Sequence, residues 1–107
     1  MGASKIDIHS TTQIEIAELA KVLSHPARVA ILEYIGKQNA CICTDLVEEI
    51  GLSQPTISQH LQVIKKAGLL QGNFEGKALC YCINAKRFKQ FQQLLNTFFN
   101  NTSANCC

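Results

Sequence analysis

At 107 residues, with 47% apolar residues, 17% charged residues and a formal net charge of +2, the chain is long enough for one core and too apolar for a disordered polymer. So small a positive excess permits nucleic-acid binding without requiring it, which leaves the decision to local pattern. No apolar run approaches the ~20 residues of a membrane span, and "MGASKIDIHS" lacks the apolar stretch of a signal peptide, so a cytoplasmic protein without a membrane partner is expected.

Residues 1–11 are small, polar and without period, and are expected to form a flexible terminus. From Thr12 a helix fits, with Ile16, Leu19, Ala20 and Leu23 on one face. Ser24-His25-Pro26 ends it, because the residue before proline avoids helical angles. Pro26 suits the first turn of a second helix, with Ala27, Ala30, Ile31, Tyr34 and Ile35 as its buried stripe and Gly36 as its close. "ACIC" (residues 40–43) alternates and is read as a brief strand, and Asp45 to Ile50 as a short helix stopped by Gly51. Ser53 then caps a helix that tolerates Pro55 in its first turn, turns Ile57, Leu61 and Ile64 inward, and ends at Gly68.

Leu69 to Phe74 and Lys77 to Ile83 read as the two strands of a hairpin turning at Glu75-Gly76. Phe88, Phe91, Leu95 and Phe98 share one face of a last helix, a stripe too apolar for solvent and expected to bury against a second subunit. Residues 101–107 are a polar, flexible tail, which leaves one domain over residues 12–100. The fold class is mainly α with a small β-hairpin. A short helix, a Gly-Leu-Ser turn and a second helix make a helix-turn-helix, and the hairpin after it makes a wing.

The outward face at the start of the second motif helix carries Ser53, Gln54, Thr56, Ser58 and Gln59. Glutamine can bond adenine at two places, and serine or threonine can reach bases or phosphates. Any solvated helix is polar outside; the motif, with Lys65 and Lys66 at the helix end and Lys77 beside the hairpin tip, favours double-stranded DNA. His9, His25 and His60 show no metal-ligand spacing and are read as structural. No Ser-His-Asp set, carboxylate pair or phosphate loop is present, so no catalytic activity is expected.

Six cysteines fall into three close pairs, Cys41 and Cys43, Cys80 and Cys82, Cys106 and Cys107. In a reducing compartment these read as thiols, metal ligands or redox sensors rather than staples. If the short strand pairs with the second wing strand, and Ile42 and Tyr81 point inward, then Cys41, Cys43, Cys80 and Cys82 share the outer face. Strands ~4.8 Å apart bring such thiols to one ion. Trivalent arsenic or antimony takes three thiolates in a pyramid, and zinc or cadmium takes four in a tetrahedron. Buried apolar filler is the plainer reading of one pair; two pairs on adjacent strands favour ligands. Cys106 and Cys107 are secondary candidates.

"VLSHPARVAILEYI", "DLVEEIGLSQPTISQHLQVIKKAGLL" and "EGKALCYCI" together resemble the ArsR/SmtB family of metal(loid)-responsive winged-helix repressors, over roughly Ala17 to Ile83, with the arsenical-resistance repressors nearest. The resemblance implies a homodimer held by its first and last helices, bound to operator DNA and released by an inducer. Zinc-sensing members use Asp, His and Glu in the last helix, and "KRFKQFQQLLNTFF" has none of these. The arsenic branch carries Cys-Val-Cys-Asp-Leu; Cys41-Ile42-Cys43 with Asp45-Leu46 is similar, with Thr44 as an extra residue that rotates the cysteines. Other members place a cysteine pair after the last helix, as Cys106-Cys107 stands here. The function expected is an arsenite- or antimonite-responsive repressor. The rivals are a thiol redox or persulfide sensor, a cadmium- or zinc-responsive repressor, and a structural zinc module acting through protein contacts.

Overall fold

A computed structural model of the chain describes residues 8–38, 46–73 and 80–102. In chain order these form α1 (Thr11–Val22), α2 (Pro26–Gly36), α3 (Leu46–Ile50), α4 (Gln54–Lys66), β1 (Leu70–Asn73), β2 (Cys80–Ile83) and α5 (Ala85–Asn101). The expected "ACIC" strand and the turn at Glu75-Gly76 lie outside the described residues.

A capping box starts α1: Ser10 Oγ accepts from the Gln13 N–H at 3.1 Å, and Gln13 Oε1 accepts from the Ser10 N–H at 3.0 Å. The face that α1 buries keeps Leu19 of the expected face but not all of it. Leu19 and Val22 are buried, whereas Ala20 is exposed and Leu23 is 42% exposed. The helix stops at Val22, and Leu23 takes cap angles (φ −84, ψ 3), so its side chain leaves the i+4 row. In α2 the His25 side chain caps, its Nδ1 accepting from the Ala27 N–H at 3.1 Å. Ile31 and Ile35 are buried as expected, and Leu32 joins them.

Gly51, at φ +85, separates α3 from α4, and Ile57, Leu61 and Ile64 form the buried face of α4. Ser53 holds the N-cap position with an extended backbone but bonds no helix N–H; its Oγ pairs with Thr56 Oγ1 at 3.0 Å. At the other end Gly68 donates to Lys65 O at 2.8 Å and Leu69 to Ile64 O at 3.3 Å, a Schellman closure that turns the chain into the hairpin.

The wing strands are antiparallel, with Leu70 opposite Ile83, Gln71 opposite Cys82, Gly72 opposite Tyr81 and Asn73 opposite Cys80. Asn84 fastens the next helix to this turn. Its side chain accepts from the Arg87 N–H at 3.3 Å and donates to Gly68 O at 3.0 Å, and its own N–H bonds Leu69 O at 2.9 Å. Arg87 adds a bond from Nε to Ala67 O at 3.2 Å and an ion pair with Glu15 of α1.

The stripe expected to face a second subunit is divided by the fold. Phe91 is 6% exposed and belongs to the chain's own core, with Phe88, Leu94 and Leu95 packed against that core. Only the end of the helix stays uncovered, with Phe98 47% and Phe99 64% exposed, their rings edge to face at 5.3 Å. Phe91 is buried in the core cluster, and α5 packs against α1, whose first turns line a groove with Leu94, Thr97 and Phe98. No described helix is long and apolar enough to cross a membrane.

Candidate nucleic-acid interface and cysteine strand

Helix α4 presents Ser53, Gln54 and Gln59 exposed and Thr56 and Ser58 half-buried, as its amphipathic pattern requires. Gln54 Nε2 donates to Ser58 Oγ at 3.2 Å one turn along. With the Ser53–Thr56 contact, this leaves two pairs of polar groups satisfied by each other in the absence of a ligand. Such bonds are exchangeable for bonds to base edges at little net cost. No acidic side chain stands in the first turn to repel phosphate, and Lys65 and Lys66 are exposed in the last. Lys77 lies outside the described residues.

Behind that face His60 is buried at 9% exposure, and Arg28 of α2 reaches it. Arg28 Nη1 lies 3.2 Å from His60 Nδ1, Nε donates to Val22 O at 2.8 Å, and Nη2 donates to Lys21 O at 3.1 Å and to Ser24 Oγ at 3.3 Å. A guanidinium only donates, so Nδ1 accepts and His60 is neutral with its proton on Nε2. Burial first, then the neighbouring His25 and Arg28, pushes the His60 pKa below its usual 6.5. The His25 and His60 rings are 4.5 Å apart. His60 was expected to be structural, and it is buried. Arg28 was missed: its partners lie up to 32 residues away, and nothing in "SHPAR" marks a bridging guanidinium.

On β2, Tyr81 is 2% exposed and turns inward, which places the half-buried Cys80 and Cys82 together on the other face of the strand. Both cysteines are disulfide-bonded. Cys82 Sγ sits 3.8 Å from Gln71 O, a packing contact, since a disulfide sulfur has no proton to donate. Cys41, Cys43, Cys106 and Cys107 lie outside the described residues. Among the described residues no three His, Cys, Asp or Glu side chains gather as a metal site would require.

A helix-turn-helix with a polar second helix, followed at once by a two-stranded hairpin, defines a winged-helix DNA-binding protein. Residues 25–71 match the bacterial regulatory protein, arsR family. The chain is 35% identical over 81 residues to an uncharacterized HTH-type transcriptional regulator of Methanocaldococcus jannaschii, covering 75% of this chain and 90% of that one. It is 31% identical over 85 residues to the biofilm growth-associated repressor of Xylella fastidiosa, covering 79% and 74%. The crystal structure of the repressor BigR from Xylella fastidiosa superposes with a TM-score of 0.60 at 27% identity, over 92% of this chain and 97% of that one. The chain belongs to the arsR family and is a winged-helix transcriptional repressor.

Proposed function

We propose that this repressor binds double-stranded operator DNA as a homodimer through a single domain over residues 12–100, and that arsenite or antimonite releases it by binding cysteine thiolates. On the DNA side the contacts are Ser53, Gln54, Thr56, Ser58 and Gln59 to base edges and phosphates, with Lys65 and Lys77 on phosphates. The observation that carries the inducer reading is Cys80 and Cys82 side by side on one face of the wing strand, held there by the buried Tyr81. Two sulfurs fit a soft ion, and hard oxygen-seeking ions are disfavoured. They are one short of an arsenic(III) pyramid; the third thiolate in this reading comes from Cys41 or Cys43, with Cys106 and Cys107 as secondary donors. The balanced exchange is As(OH)₃ with three thiols giving As(SR)₃ and three waters. It needs three reduced thiols, so metalloid binding is a property of the reduced form.

A second reading follows from the disulfide bonds at Cys80 and Cys82, which favour a thiol redox sensor. There two thiols and a peroxide give a disulfide and two waters, and no metal is involved. Cadmium and zinc, which prefer four thiolates, remain inducers to be compared. One assay separates these: release of labelled operator from fully reduced protein under anaerobic conditions, with arsenite, antimonite, cadmium, zinc or peroxide. Release by arsenite and antimonite without oxidant is the expected result. Release by peroxide alone would establish the redox reading instead.

A further inference from the structure

Arg28 ties three places together. It closes two carbonyls at the end of α1, Lys21 O and Val22 O, bonds Ser24 Oγ, and donates to His60 in the middle of α4. We propose that Arg28 is a positioning residue for DNA binding, holding the recognition helix at its working angle through neutral His60, and that protonation of His60 releases this hold and weakens operator binding. The proposal rests on α4 being the helix that reads DNA.

Protonation acts here in two ways. It converts Nδ1 from acceptor to donor, so the bond from Arg28 is lost, and it sets a second cation 3.2 Å from the guanidinium. The charged and titratable groups acting on His60 are Arg28 of α2 and His25 before it. From the other elements beside α4, Glu48 and Glu49 of α3 and Glu18 and Lys21 of α1 are exposed to solvent, and β1 carries no titratable residue. Burial and these two neighbours already disfavour the proton, which keeps the hold intact at neutral pH.

The sign of the effect distinguishes it from simple electrostatics. An added positive charge near DNA strengthens binding through the phosphates. A hold that needs neutral His60 does the reverse: below the titration midpoint, affinity falls about tenfold per pH unit, because binding must first expel the proton. The test is operator affinity of the full chain measured from about pH 7.5 to about pH 5, with the His60 midpoint followed by NMR in free and DNA-bound protein. Wild-type affinity should fall on acidification, and DNA should lower the His60 midpoint. His60→Asn, whose Oδ1 stands near the Nδ1 position and never titrates, should bind with a flat profile. An affinity that rises or stays constant on acidification, or a midpoint unmoved or raised by DNA, overturns the proposal, and both readings on wild-type protein hold whether or not the variant folds. Gln54→Ala serves as the control for the interface itself. If Gln54→Ala leaves affinity unchanged the recognition-helix assignment fails; if it weakens binding while wild-type affinity is pH-independent, only the role of Arg28 fails.

Discussion

At Gly72 the two wing strands approach so closely that a methyl group has nowhere to go: an added Cβ would collide with the Cys80 carbonyl oxygen and lie 2.9 Å from Tyr81 Cα. Its backbone also sits at φ +137, where side chains are strained regardless of space. Both obstacles are main chain, which cannot swing aside. Gly72→Ala should therefore destabilise the protein by roughly 2–3 kcal/mol, read as a lowered denaturant midpoint, because the paired strand must shift. An unchanged midpoint would mean that the hairpin register is not as described. His60 makes a second prediction at this scale. Its folded pKa lies below the unfolded value near 6.5, so between the two the unfolded chain binds more protons. Stability from this residue is complete above about pH 6.5 and is lost as pH falls through the folded value. Denaturation midpoints of wild type should fall over that acid range more steeply than those of His60→Asn; parallel curves would contradict this.

Among the elements, α5 changes character along its length. Phe91 fills the core, and cutting it to alanine should cost about 3–5 kcal/mol of monomer stability, seen in denaturation at any protein concentration. Phe98 and Phe99 touch solvent, so Phe98→Ser should leave monomer stability within about 0.5 kcal/mol and instead weaken self-association in sedimentation. If both variants lose only monomer stability, the end of α5 is not a contact between copies. This division was not legible in the sequence. Periodicity names the face of a helix that is apolar, but it is silent on which neighbour covers each turn, so Phe91 and Phe98 looked alike. By contrast α4 was legible in detail, since a 3.6-residue period at Ile57, Leu61 and Ile64 and a glycine at the end act locally. Ser53 holds the N-cap position of α4 as expected, but its hydroxyl pairs with Thr56 in place of the backbone, a detail the sequence does not show. The polar ties of Arg28, Asn84 and Arg87 were invisible because their partners come close only after folding.

For the whole molecule, the proposed release requires that an event on the wing strand be felt at α4. The path is short. β2 pairs residue by residue with β1, which follows α4 through the Gly68 closure, and Asn84 and Arg87 bond the carbonyls of Gly68 and Ala67 at that same point. A pull on Cys80 or Cys82 therefore reaches the end of α4 through the strand ladder and these hydrogen bonds. Hundredfold release needs a coupling of only about 3 kcal/mol. The alternating pattern of "LCYCI" made the shared face of Cys80 and Cys82 legible beforehand, because strand alternation is a local rule. Their disulfide bonding was not, since pairing depends on what the fold brings near. The most direct test is an anaerobic arsenite titration of reduced wild type, Cys80→Ser and Cys82→Ser, each bound to labelled operator. Serine keeps the size and removes the soft donor, so both variants should bind operator as wild type does and should fail to release it with arsenite. Full arsenite release from both variants would contradict a metalloid site on the wing strand.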